Sequence, residues 1–142
     1  MRKTQGLMSG KKWRNRLSLI ILSSVMLSCA SMPDFTKEQL DDPDKLLEIG
    51  RMYYSSENYH IAIQIFQIIL TRHSKRTYNC AWAQYEIGMC YYLDGEFEKA
   101  KAAFHKVRLN YPLPRQPRIL ARKLIRKIDR KDTHKKSSYV DR

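Results

Sequence analysis

Two stretches of this chain carry matched residues at matched intervals. Leu46, Ile49, Gly50, Tyr53, Ala62 and Phe66 are answered by Gln84, Ile87, Gly88, Tyr91, Ala100 and Phe104, each 38 residues further on. Apolar positions inside each copy recur every three or four residues, which is the period of a helix. Asn58 and the run Asp94-Gly95-Glu96-Phe97 supply turn chemistry in the middle of the copies. Each copy therefore reads as two helices joined by a short turn, and such a pair must stack on a neighbour to bury its faces. The pattern predicts an all-α chain with helices at about 44–55, 58–72, 78–93 and 96–110. The small residues explain how the helices meet. Gly50 and Gly88 let a partner helix come close, Ala62 and Ala100 do the same from the other side, and the large Tyr and Phe side chains fill the space around them.

The spacing resembles that of the tetratricopeptide repeat, W-x₂-L-G-x₂-Y…A-x₃-F…P, whose unit is a helix, a turn and a second helix. The closing proline is Pro112 in the second copy and is replaced by Ser74 in the first. The resemblance implies an α-solenoid of two repeats over residues 44–112, with the extra length of each unit in the loop HSKRTYN. A generic helical bundle is the alternative. YHIAIQIFQIIL is apolar on several faces and is expected to lie between neighbours, whereas FEKAKAAFHKVR has the narrower stripe Ala100, Phe104, Val107 of a more exposed helix. After Pro112, the stretch LPRQP breaks the pattern. Pro117 suits the first turn of a C-terminal capping helix within residues 113–131, with Ile119, Leu120, Leu124, Ile125 and Ile128 as its apolar stripe. Residues 132–142 are expected to form a disordered tail.

The amino-terminal region reads as an export signal. Leu17–Ser31 is uncharged but short of the roughly 20 residues a helix needs to cross the hydrocarbon. Arg2, Lys3, Lys11, Lys12, Arg14 and Arg16 precede it with no acid among them, the charge asymmetry of a signal peptide rather than a retained core helix. The run ends VMLSCA, which resembles a bacterial lipobox, with Met26 where leucine is usual. That resemblance implies a signal peptide over 1–28, a diacylglyceryl group on the sulfur of Cys29, and a lipidated, extended tether over 29–43. Acyl chains contribute about 0.8 kcal/mol per buried CH₂, so two or three of them hold a protein to a membrane.

Other chemistry is sparse. Cys80 and Cys90 fall ten residues apart in one expected helix, about 15 Å along its axis, too far for a disulfide. The four histidines, His60, His73, His105 and His134, have no metal-ligand spacing. No phosphate-binding glycine loop or nucleophile motif is present. The reading is non-enzymatic, with no catalytic or metal site and no cofactor beyond the covalent lipid on Cys29.

Charge is segregated along the chain. Residues 29–112 hold 10 Lys and Arg against 11 Asp and Glu, while residues 113–142 hold 11 against 3. Arg118, Arg122, Lys123, Arg126, Lys127 and Arg130 form a basic surface on the last helix. It is either a solvated face or a contact for anionic headgroups or an acidic partner; export argues against nucleic acid. Repeat stacks present the first helix of each pair on a concave wall. On that wall Trp82, Tyr85, Met89 and Tyr92 form one helical stripe in the second copy, and Leu47, Arg51 and Tyr54 stand at matching places in the first. Aromatic residues, Met and Arg are the residue types of binding hot spots, so these seven are the candidate protein-binding residues. The competing reading is that the last helix or the tether covers them as core.

Together, the lipobox, the tether and repeats opening LLEIGRMYYSSENYHIAIQIFQIIL and AWAQYEIGMCYYLDGEFEKAKAAFHKVRLNYP resemble the BamD (YfiO) family of outer-membrane lipoproteins of the β-barrel assembly machinery. The resemblance covers about residues 29–112. It implies a periplasmic scaffold, lipid-anchored in the outer membrane, with the β-barrel assembly subunit and unfolded outer-membrane protein substrates as partners. Family members usually carry about five repeats, so this chain is a shortened version. A lipid-anchored repeat adaptor in envelope division or secretion is the alternative.

Overall fold

The computed structural model describes residues 31–140, with side chains through residue 131. The expected signal peptide and the lipidation site Cys29 lie outside the described residues. The described residues from Met32 onward form one compact unit. Among the described residues there are six helices and no strand: α1 Lys37–Asp41, α2 Pro43–Ser55, α3 Tyr59–Arg72, α4 Thr77–Leu93, α5 Phe97–Asn110 and α6 Arg115–Val140. Each of α2 to α5 packs on the next, α5 packs on α6, and lighter contacts join α2 to α4 and α4 to α6. This is an all-α, tetratricopeptide-like solenoid of two helix pairs, α2/α3 and α4/α5, followed by a single helix.

Local chemistry sets the helix ends. Asp42 caps α2, its Oδ1 accepting from the backbone N–H of Asp44 at 2.9 Å and of Lys45 at 3.2 Å, and Pro43 occupies the first turn. The two intra-pair turns are built alike. Asn58 N–H donates to the Tyr53 carbonyl and Glu57 N–H to that of Tyr54; Glu96 and Gly95 repeat these bonds to Tyr91 and Tyr92. Both are Schellman closures, which place one residue in the left-handed region. That residue is Gly95 in the second copy (φ 80°) but Glu57 in the first (φ 60°).

The glycines do what the repeat pattern requires. A Cβ at Gly88 would lie 2.5 Å from Phe104 Cε1, and one at Gly50 would meet the Phe66 ring in the same way. Phe66 and Phe104 are wholly buried, one at the centre of each copy. Helix α3 buries Ile61, Ile65, Phe66 and Ile69 between α2 and α4, as its many-sided apolar surface predicts. Cys80 and Cys90 are free and buried.

Two expectations need correction. Residues 29–43 are not an extended tether where they are described. Thr36 and Gln39 form a capping box that starts α1, Pro43 is buried, and Met32 and Phe35 pack on the first core cluster. Arg72 ion-pairs with Asp41 at 2.9 Å, and His73 Nε2 donates to the Leu40 carbonyl at 2.8 Å, so α1 is pinned to the end of α3. Asp42 and Pro43 in this stretch start α2, and Asp41 holds Arg72. The second correction concerns the carboxyl end. Backbone of α6 is helical to Val140, well past the expected end near 131 and into the segment expected to be disordered.

Helix α6 also keeps the register of the repeats. Its buried Ala121, Ile125 and Ile128 stand 38 residues beyond Ala83, Ile87 and Cys90, the α4 residues that face the preceding copy. It stands in the register of the first helix of a third copy. Where α4 offers Gln84 and Gly88 to α5, α6 carries Arg122 and Arg126. An arginine at the glycine position keeps a Phe-bearing helix from seating, and a polar outer face is how a repeat stack ends.

Candidate protein-binding groove

An open groove of about 910 Å³ runs along α2 to the edge of α4. Leu47 lies in its floor, Arg51 and Trp82 line it, Asp44 and Glu48 add negative charge, and Met52 and Tyr78 are more than half exposed at 60% and 55%. The two first helices are tied beneath it. Asn79 Nδ2 donates to Asp44 Oδ1 at 2.8 Å, and Arg51 Nε donates to Glu86 Oε1 at 3.0 Å. The Arg51 guanidinium also lies 5.9 Å from the Trp82 ring centroid, within the range of a cation–π contact. Glu86 is only 12% exposed, and burial pushes its carboxyl above the usual range against the opposing pull of Arg51. A long, flexible cation is thereby held in one place by an acid below it and a ring beside it.

The structure divides the seven candidate contact residues. Leu47, Arg51 and Trp82 belong to the groove. Tyr54 turns onto Tyr59 in an edge contact at 5.9 Å, and burial raises its hydroxyl pKa. Tyr85, Met89 and Tyr92 pack against the second core cluster, which α6 shares. Tyr85 rests on Phe104 at 5.7 Å and its hydroxyl is pushed up to about 12 by burial. Tyr92 lies against Phe97 at 5.7 Å, with Lys127 Nζ 5.5 Å from its ring. The expected continuous wall is therefore corrected: the last helix occupies its second-copy part.

Sequence reasoning missed Met52, Glu48 and Tyr78. Their signal lay in the repeat itself. Met52 matches Cys90, which is buried against α3, but among the described residues no helix lies on α2 as α3 lies on α4, and Met52 stays exposed. Of the basic residues, Arg122, Lys123, Arg126, Lys127 and Arg130 are exposed. Arg118 is not part of that free surface, since it is half-buried and its Nη1 donates to the Pro112 carbonyl at 3.0 Å.

The groove offers apolar and aromatic walls, a guanidinium paired with Glu86 and an acidic edge. The thiols are suppressed as nucleophiles, because burial pushes Cys90 up to about 12 and raises Cys80 as well. Among the described residues no cluster of His, Cys, Asp and Glu is placed to hold a metal, and no helix is long and apolar enough to cross a membrane.

Residues 82–113 match the family model of the tetratricopeptide repeat, which corresponds to α4 from Trp82 onward, its turn, α5 and the residues just after it. No curated protein sequence matches the chain. The repeat is one used for protein–protein interaction, and the chain carries it as a solenoid.

Proposed function

We propose that this chain is a non-enzymatic interaction scaffold of the bacterial cell envelope, held by lipid on Cys29 at the periplasmic face of the outer membrane. In this reading it binds polypeptide segments of the β-barrel assembly machinery, either the barrel-forming subunit or its unfolded substrates. The observation that carries the binding role is the Arg51–Trp82 pair set in an open groove. Arg and Trp are the residue types on which binding energy concentrates, and an arginine already fixed by Glu86 loses little further freedom when a partner arrives. Asp44 and Glu48 favour a segment that presents an apolar anchor beside a basic residue. The assembly-machinery context is supported by the resemblance of the repeats and the lipobox to the BamD family.

Affinity recovery from envelope membranes tests this, comparing the full chain with its Met52→Asp/Tyr78→Asp variant, which alters two exposed side chains. Recovery of a large β-barrel protein with amino-terminal periplasmic domains, reduced in the variant, is expected. Recovery only of division or secretion components overturns the assembly role. Equal recovery by both forms overturns the groove.

A further inference from the structure

The end of the stack opposite the groove has an unusual surface. Leu109, Leu113 and Ile119 are 80%, 63% and 48% exposed, and all three surround the single turn between α5 and α6. Isolated exposed apolar side chains are ordinary; three about one turn, set among Arg108, Arg115, Arg122 and Lys123, are not. Their exposure follows from the register. Ile119 matches Ala81, which is wholly buried in the second copy, and lies on the α6 face that corresponds to the α4 face covered by α5; no described residue covers it in the same way. Arg115, Ile119, Arg122 and Arg126 follow one another at four-, three- and four-residue steps and so share that face. The one acid of α6 among the described side chains, Asp129, is paired with Lys101, leaving the face positive.

We propose that this end is a peripheral membrane surface, on which the α5–α6 turn sinks its leucines into the interface of an anionic bilayer while the Arg115–Arg126 face takes the headgroups. A protein helix is the less suitable occupant. The position that receives a Phe ring in the two complete copies is Arg126 here, and the exposed apolar groups lie on a turn rather than along a continuous stripe. A bilayer requires neither close helix approach nor a stripe, only apolar tips among basic residues. The proposal is independent of the groove reading and of the lipid on Cys29.

The test is amide hydrogen exchange of the full chain with vesicles of phosphatidylglycerol and phosphatidylcholine, against vesicles of phosphatidylcholine alone. Because exchange is read at residues 108–119, attachment through another part of the chain does not mask the result. Slowed exchange there on anionic vesicles only, weakened by high salt and lost in Arg115→Glu/Arg122→Glu/Lys123→Glu, is expected. Leu113→Asp, at an exposed site that leaves the core intact, is expected to lose it as well. Equal exchange on both vesicle types, or no difference between wild type and the triple variant, overturns the proposal. Slowing by polyglutamate but not by anionic vesicles also overturns it, assigning the face to an acidic polypeptide.

Discussion

Arg51 Nε donates to Glu86 Oε1 across 3.0 Å, joining the first helix of one copy to the first helix of the next. Burial raises the Glu86 carboxyl, and Arg51 restrains the rise. A carboxyl raised on folding contributes stability that is fully present below its unfolded pKa and lost as pH climbs through its folded one. Arg51→Met is therefore expected to raise the Glu86 pKa further and to steepen the loss of stability above the ordinary carboxylate range. Carbon-detected NMR titration of Glu86, with urea unfolding at several pH values, reads both effects. An unchanged Glu86 titration in the variant contradicts the linkage.

Gly88 and Phe104 form the close contact of the second copy. Gly88→Ala is expected to destabilise by about 1–3 kcal/mol, the usual cost of overpacking. Phe104→Leu in the same chain should recover part of that loss, because the ring is what the added methyl meets. Urea unfolding of the single and double variants measures the coupling. Strict additivity of the two changes contradicts the contact.

Glu57 and Gly95 hold equivalent left-handed positions, and only one of them is glycine. A side chain there costs roughly 1–2 kcal/mol in backbone sterics. Gly95→Glu is thus expected to lower the melting temperature and Glu57→Gly to raise it. Opposite signs at the two sites are the expected calorimetric result, and equal signs contradict the turn geometry.

Tyr85 and Met52 separate core from groove. Tyr85 is half-buried against Phe104, and Tyr85→Ala is expected to cost about 1–3 kcal/mol, whereas Met52→Ala, at an exposed site, should stay within about 0.5 kcal/mol. Thermal unfolding distinguishes them. A Tyr85→Ala chain as stable as wild type would return that residue to the binding wall.

The four repeat helices were legible because glycine, alanine and the Phe/Tyr fillers mark helix-to-helix contacts, which are nearly local in sequence. The turns at Asn58 and Gly95 could also be read. The third half-copy was not, because its contact face carries Arg122 and Arg126 instead of the marker residues; only the buried stripe Ala121, Ile125, Ile128 preserves the period. That omission also misplaced the site. Which face of Tyr85, Met89 and Tyr92 is covered depends on where α6 lies, a long-range fact, whereas Arg51 and Trp82 border the open groove and Leu47, itself buried, lies beneath it. Helix α1 was overlooked because a five-residue helix depends on its capping box and on Arg72 and His73, distant in sequence.

The most direct test of the scaffold role is site-specific photo-cross-linking in living cells from two exposed positions, Tyr78 in the groove and Ala102 on the outer helix of the second pair. The account predicts discrete adducts to another polypeptide from position 78, none from position 102, and loss of the former when Trp82 is replaced by Ala. Adducts of equal yield from both positions, or from position 102 alone, would contradict it.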